Sequence, residues 1–213
     1  MRAFSGDQLV ISMLGQQPYT ACLEAMRHYS HNRTSACPDQ IWILEHPPIY
    51  TKGKMSQSSD ILQTLSYPMV ETDRGGQITF HAPGQIIVYL LLHIDSPKSM
   101  NNLINLIEQT MINILSRCQI CATAHAKHRG VYVDDAKIGS IGIRMRRQNT
   151  YHGFSLNVDM DLKPFEAIHP CGRAQAVTHI RDYSQESLTS VYRFCIEEVS
   201  KTWGNNRDIF FNY

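Results

Sequence analysis

The chain reads as an α/β (α+β) protein, a single domain with a mixed, largely antiparallel sheet and flanking helices. Three observations carry that reading: strand-like runs recur at hairpin spacing, two long amphipathic helices stand apart with strands between them, and no linker or low-complexity tract interrupts residues 1–213. With 213 residues, 43% hydrophobic and 18% charged, the chain can bury one sizeable core and has ordinary globular composition.

Taken in order, Pro18 to His31 is the first helical candidate, carrying Ala21, Leu23, Ala25 and Met26 with few breakers. Ile41 to Glu45 is a short β-type run stopped by His46-Pro47-Pro48, because proline removes a ladder donor and fixes φ. Lys52 to Gln63 is polar and contains Gly53, so it is expected as a loop. Pro68 to Glu71 and Gln77 to Phe80 are strand candidates on either side of an Arg74-Gly75-Gly76 turn. Ile86 to Ile94 is apolar almost throughout, the pattern of an interior strand. From Ser99 to Arg117 the residues Leu103, Leu106, Ile107, Met111, Ile114 and Leu115 recur at helical spacing. Leu188, Val191, Tyr192, Cys195, Ile196, Val199 and Trp203 do the same near the end. Between the two helices lie strand candidates Gly130 to Val133, Lys137 to Met145 and Tyr151 to Val158, the last two joined by a polar turn, Arg146 to Thr150, of hairpin length.

Charge and hydropathy exclude several classes of function. A net charge of +1 argues against a protein that coats nucleic acid. No run of about eighteen apolar residues occurs, so no membrane span is expected. Residues 1–7 lack the apolar region of a secretory signal, and the expected location is cytoplasmic. The six cysteines (22, 37, 118, 121, 171 and 195) are then expected as free thiols. Cys118 and Cys121 form a lone C-x-x-C with His125 and His128 close by, which leaves zinc open. The reading preferred is that Cys118 ends an apolar helix face and Cys121 starts the next segment, with no metal bound.

Chemistry concentrates in three separated segments. Cys171 lies between Pro170 and Gly172, on a tight turn where the glycine amide can face a developing oxyanion. A thiol attacks as its thiolate, and a nearby ammonium favours that form. Taken alone, Cys171 reads as a buried small hydrophobe before it reads as a nucleophile. Lys137 precedes Ile138-Gly139-Ser140-Ile141-Gly142, whose glycines mark close approach of a ligand or another backbone. Arg74-Gly75-Gly76 resembles a phosphate cradle but lacks the lysine-threonine ending of a P-loop and the third glycine of a dinucleotide fingerprint. Its amides can instead approach an acyl group, with His81 and Gln85 polar nearby.

Those pieces occur in order with others: Trp42 to Thr51, Asp73 to Gln85, Gly130 to Val133, Lys137 to Arg144, Tyr151 to Val158 and Ile168 to Gly172. The ordered set closely resembles the octanoyltransferases of lipoate biosynthesis, over roughly Ile41 to Thr178. The resemblance implies a fold like that of biotin-protein and lipoate-protein ligase catalytic domains. It implies transfer of an octanoyl group from acyl carrier protein to a lysine on lipoyl domains of 2-oxoacid dehydrogenases or on the glycine-cleavage H protein. Cys171 matches the family's acylated cysteine, and Lys137 the lysine that lowers its pKa and shuttles protons. The acyl group is implied to lie against Arg74, Gly75, Gly76, Gln77, Ile78, Thr79, Phe80 and His81, against Ser140, Ile141 and Gly142, and against Gly153, Phe154 and Ser155. Phe80 stands where tyrosine is usual and Ala82 where glycine is usual.

On this reading no metal, nucleotide or other cofactor is needed, because the thioester is already activated, and the enzyme is expected as a monomer. Acyl carrier proteins are acidic, so Lys127, His128 and Arg129, with Arg144, Arg146 and Arg147, are candidates for docking. The rival readings are an ATP-dependent lipoate ligase on the same fold, a cysteine hydrolase pairing Cys171 with His81 or His152, and a non-catalytic acyl-binding protein.

Overall fold

The computed structural model describes residues 8–94, 96, 99–125, 127–170, 174–205 and 207–212. In chain order the elements are β1 (Gln8–Gln16), α1 (Tyr19–Asn32), β2 (Asp39–Glu45), β3 (Ile49–Lys52), β4 (Met69–Glu71), β5 (Ile78–His81) and β6 (Gln85–Leu91). There follow α2 (Met100–Arg117), β7 (Thr123–His125), β8 (His128–Val133), β9 (Ala136–Arg146), β10 (Asn149–Asn157), α3 (Leu188–Trp203) and β11 (Asp208–Asn212). Eight strands make one mixed sheet in the order β11-β1-β2-β6-β10-β9-β8-β7. β1 runs parallel to both β11 and β2, and every other pair in that sheet is antiparallel. A second, three-stranded sheet has the order β4-β3-β5.

The apolar run of β6 follows from its central place. Side chains alternate across a strand, and here both faces are covered. Ile86, Val88 and Leu90 enter the core beneath α2 and α3, formed with Leu103, Ile107, Met111, Ile114, Val191 and Val199. Ile87, Tyr89 and Leu91 point the other way, into a cluster with Tyr19, Leu23 and Met26 of α1. The helical stripes read from the sequence are therefore the buried faces of α2 and α3. At the start of α3 the Ser187 hydroxyl accepts from the Ser190 amide at 3.1 Å, capping an otherwise unmet donor.

The hairpin between β9 and β10 turns on Arg147 and Gln148, with φ of 48° and 67°. Two successive positive φ values are those of a type I′ turn, whose twist matches the strands it joins. Asp134 and Asp135, φ 46° and 66°, make the same turn between β8 and β9.

Strands β1, β3, β7 and β11 were not anticipated from the sequence. Thr123, Ala124 and His125 of β7 are all exposed at the sheet edge, so no burial pattern marks them. β11 forms the opposite edge, pairing with β1 from Gln8↔Asp208 to Ser12↔Asn212. The expected Lys52–Gln63 loop contains a single 3-10 turn at Ser58–Asp60.

Candidate active site

The antiparallel pair β9–β10 forms the site's back wall, with Ser140 opposite Ser155, Ile141 opposite Phe154 and Gly142 opposite Gly153. The Arg74–Gly76 loop packs on this wall, and the Gly75 amide donates to the Ile143 carbonyl at 3.1 Å. A Cβ on Gly142 would stand 3.0 Å from Arg74 Cδ and 3.3 Å from the Gly75 carbonyl oxygen. That glycine therefore admits the loop. The Arg74 guanidinium fixes the loop from its far side: Nε and Nη2 donate to Thr51 Oγ1 at 3.2 and 2.9 Å, Nη2 to the Thr51 carbonyl at 2.6 Å, and Nη1 to the Gly75 carbonyl at 3.0 Å.

Between loop and wall lies a cavity of about 520 Å³, within the ~300–1,000 Å³ usual for small-molecule sites. Arg74, Gly75, Gly76, Gln77, Ile78, Thr79 and His81 line it, as do Ser140, Ile141, Gly142, Gly153, Phe154, Ser155 and Lys137. Phe80 does not. Its ring packs against Tyr50 and Phe165, with centroids 4.9 and 5.8 Å away, in a core cluster beyond β5. Phe80, expected from the sequence against the acyl group, is thus set apart from the other segments' residues, its ring packed in the small sheet's core. Residues not anticipated from the sequence that also line the cavity include Tyr19, Ile87, Tyr89, Met100 and Ile104. These residues come from α1, β6 and α2, and nothing local in the sequence marks that three separate elements line one space.

Lys137 is buried, with 5% of its surface exposed. Its Nζ donates to the Arg129 carbonyl at 3.0 Å and lies 5.5 Å from the Tyr132 ring centroid. Its backbone is held by the segment that follows residues 171–173: the Lys137 amide donates to the Ala176 carbonyl at 2.7 Å, and the Thr178 amide donates to the Lys137 carbonyl at 3.0 Å. Pro170, on the other side of that gap, lines the cavity. Cys171 and Gly172, named from the sequence, lie outside the described residues. Among the other cysteines, burial pushes the Cys22 and Cys118 thiols up to about 11 and Cys195 up to about 12, which keeps them protonated. Cys118 is the C-cap of α2 and Cys121 is exposed, and no group of three His, Cys, Asp or Glu side chains fit to hold a metal occurs among the described residues.

The histidines divide by environment. His81 Nδ1 is 2.7 Å from Gln85 Oε1, an acceptor, so Nδ1 carries the proton and Nε2 accepts from the Thr51 hydroxyl at 3.2 Å. Burial, with a smaller contribution from His46, pushes its pKa down to about 3. Both ring nitrogens are thus engaged and the ring is neutral, an anchor of the cavity wall. Gln85 continues the chain to Asn157 Oδ1 at 2.9 Å, and Asn157 donates to the Thr178 carbonyl at 2.9 Å, beside Lys137. His152 has φ 59° and sets Nε2 3.1 Å from Asp73 Oδ1, while its Nδ1 makes no hydrogen bond among the described residues. Burial lowers the His152 pKa against the pull of the Asp73 carboxylate. For Asp73 burial acts in the opposite sense, yet hydrogen bonds from His152, Tyr151 and Arg27 outweigh it and hold the carboxyl well below the usual range. His152 pairs with Ile143, six residues along β9 from Lys137, roughly 20 Å at ~3.3 Å per residue.

The basic residues considered for docking form two groups. Lys127, His128 and Arg129 line the cavity beside Lys137. Arg144, half-buried near the end of β9, lies about 23 Å along the strand from Lys137, and Arg146 and Arg147 are exposed at the far tip of the β9–β10 hairpin, about 30 Å away.

A sequence model of the lipoyl protein ligase A/B catalytic domain matches residues 18–200. An octanoyltransferase from Shewanella sp. (strain W3-18-1) is 47% identical over 167 residues, 78% of this chain and 77% of its own. Among solved structures, the bipartite lipoate protein ligase of Thermoplasma acidophilum superposes with a TM-score of 0.76 at 13% identity, covering 96% of this chain and 86% of that one. The biotin protein ligase of Aquifex aeolicus, in complex with biotin and ATP, gives 0.54 at 11% identity, covering 91% and 69%. These two likenesses are of fold.

Proposed function

Because the chain belongs to the lipoyl protein ligase A/B catalytic-domain family and is an acyltransferase of the octanoyltransferase type, we propose that it carries octanoyl groups from acyl carrier protein to lipoyl-domain lysines through a thioester on Cys171. In the first step the Cys171 thiolate attacks the donor carbonyl. The bond from that carbonyl to the carrier sulfur breaks, and the carrier thiolate takes a proton from the Lys137 ammonium. One thioester replaces another, so the step is nearly isoenergetic. In the second step the neutral amine of the acceptor lysine attacks the acyl-Cys171 carbonyl. A C–N bond forms, the Cys171 sulfur leaves as thiolate, and the neutral Lys137 amine takes the proton released from nitrogen. The amide product makes this step strongly downhill, and the thiolate–ammonium pair is restored.

The observation that carries the reading is the shared cavity. Lys137 and Pro170 line one space with the Arg74–His81 and Ser140–Gly142 segments, and the chain after residue 173 is hydrogen-bonded to Lys137. That space suits an apolar tail. At about 0.8 kcal/mol per buried methylene, the seven carbons beyond the carbonyl supply on the order of 5 kcal/mol. Lys127, His128 and Arg129 at its rim suit an acidic carrier protein better than the distant hairpin tip does. Transfer is preferred to ATP-dependent ligation because a relative 47% identical is an octanoyltransferase, whereas the likeness to the solved ligase structures is of fold alone.

Mixing the protein with octanoyl carrier protein and measuring intact mass tests the proposal. A hydroxylamine-labile octanoyl adduct on Cys171, discharged by an added lipoyl domain without ATP, is expected. Turnover without that adduct, or in Cys171→Ala, would sink it.

A further inference from the structure

α2 presents one charged side chain on its buried stripe. Glu108 is 5% exposed, one turn after Ile104, which lines the cavity, and one turn before Met111, which is buried in the core. Its Oε1 accepts from the Gly130 amide at 3.1 Å, and its Oε2 accepts from Arg129 Nη1 at 3.0 Å. The Gly130 N–H and the Arg129 carbonyl belong to one peptide unit, and that carbonyl accepts from Lys137 Nζ. A carboxylate, one amide and an ammonium therefore form a continuous chain. A carboxylate on the N–H side of an amide polarises it, so its carbonyl oxygen becomes a stronger acceptor. The backbone is shaped for this arrangement. Gly130 has φ 131°, and a Cβ there would stand 2.6 Å from Lys137 Cε.

We propose that Glu108 is a positioning residue of the transfer reaction, holding the Lys137 amine in place and favouring its ammonium form through the Arg129–Gly130 peptide. The proposal rests on the reading of Lys137 as the proton-handling residue. The Tyr132 ring of β8 also faces the amine, its centroid 5.5 Å away, while the Arg129 guanidinium, from the same strand, is bound to Glu108 and to Asn105 Oδ1 at 3.0 Å. Removing the carboxylate charge takes away support for the ammonium, whereas removing the guanidinium leaves the carboxylate's full charge directed at the peptide. The two changes should act with opposite sign.

The test follows octanoyl transfer from a small thioester, so that carrier docking plays no part, as a function of pH. Glu108→Gln keeps an acceptor oxygen for the Gly130 amide. It is expected to lower kcat about tenfold, equivalent to ~1.4 kcal/mol of lost transition-state stabilisation, with KM little changed. The alkaline limb of kcat/KM should move to lower pH. Arg129→Met should move that limb upward. A wild-type profile in Glu108→Gln, whatever its thermal stability, overturns the proposal; if that variant does not fold, an unmoved limb in Arg129→Met does so. Labelling of Lys137 by an amine-reactive reagent, read by peptide mass spectrometry across pH, reports its protonation without reference to activity. A downward shift of labelling in Glu108→Gln supports the coupling. Full transfer by Lys137→Met together with that shift would remove the catalytic part assigned to Lys137 and leave the coupling standing.

Discussion

Gly142 and Gly153 face each other across β9 and β10, and the sequence gives no reason to treat them differently. Their surroundings do. A Cβ on Gly153 would fall 1.8 Å from the Val88 carbonyl oxygen, inside the backbone of the adjacent central strand. A Cβ on Gly142 would meet the Arg74 side chain at 3.0 Å, where a few tenths of an ångström suffice for relief. Gly153→Ala should therefore destabilise the fold by about 3 kcal/mol or more, as severe overpacking does. Gly142→Ala should cost about 1 kcal/mol or less while displacing the loop that closes the cavity, so KM for octanoyl donor rises. Urea unfolding set beside steady-state kinetics separates the two; equal stability losses would refute the distinction. Glu108 makes the complementary point. As a letter it is one acidic residue in an amphipathic helix, and only the backbone arriving from β8 supplies the amide that its buried carboxylate accepts from.

At the scale of elements, legibility follows burial. β6, α2 and α3 could be read because each puts a regular apolar pattern into a core, with period 2 on both faces of the strand and period 3.6 on the helices. β7 and β11 are edge strands with exposed side chains, so nothing periodic distinguishes them from loops. β3 is four residues long and follows two prolines, which hides it behind a breaker signal. Order along the chain made the cavity-lining segments legible; the polar chain through Thr51, His81, Gln85 and Asn157 was not, because it joins four strands of two sheets. The β9–β10 turn shows the same limit. Arg147 and Gln148 hold positive φ without the glycine or asparagine that usually marks a type I′ turn. Replacing them with Asn-Gly should stabilise the protein by about 0.5–1 kcal/mol, since residues suited to the conformation relieve its strain. Denaturant midpoints measure this. A fall in stability would mean that the arginine contributes more at the tip than its backbone strain removes.

Across the whole molecule, the polar groups beneath the cavity couple the fold to pH. His46 is fully buried, with Nδ1 2.6 Å from the Gln17 carbonyl and Nε2 2.6 Å from the Tyr89 hydroxyl, joining α1's approach, β2 and β6. Burial lowers its pKa to about 4, and that of His81 to about 3. In the unfolded chain both titrate near ~6.5. The unfolded state therefore binds protons first as pH falls, so the stability from these neutral rings is complete above about 6.5 and is lost progressively toward pH 4 and then 3. Each ring contributes a slope of up to about 1.4 kcal/mol per pH unit in that window. The unfolding free energy should be flat between pH 7.5 and 6.5 and fall steadily to pH 4.5, with the deficit of His46→Gln relative to the native chain narrowing as the pH drops. Constant stability over that range would show that the rings titrate normally in the fold. Because the folded rings stay neutral down to about pH 4 and 3, the cavity wall that Tyr89 and His81 form should keep its hydrogen bonds across this window, so octanoyl binding by the folded protein should not follow the loss of stability.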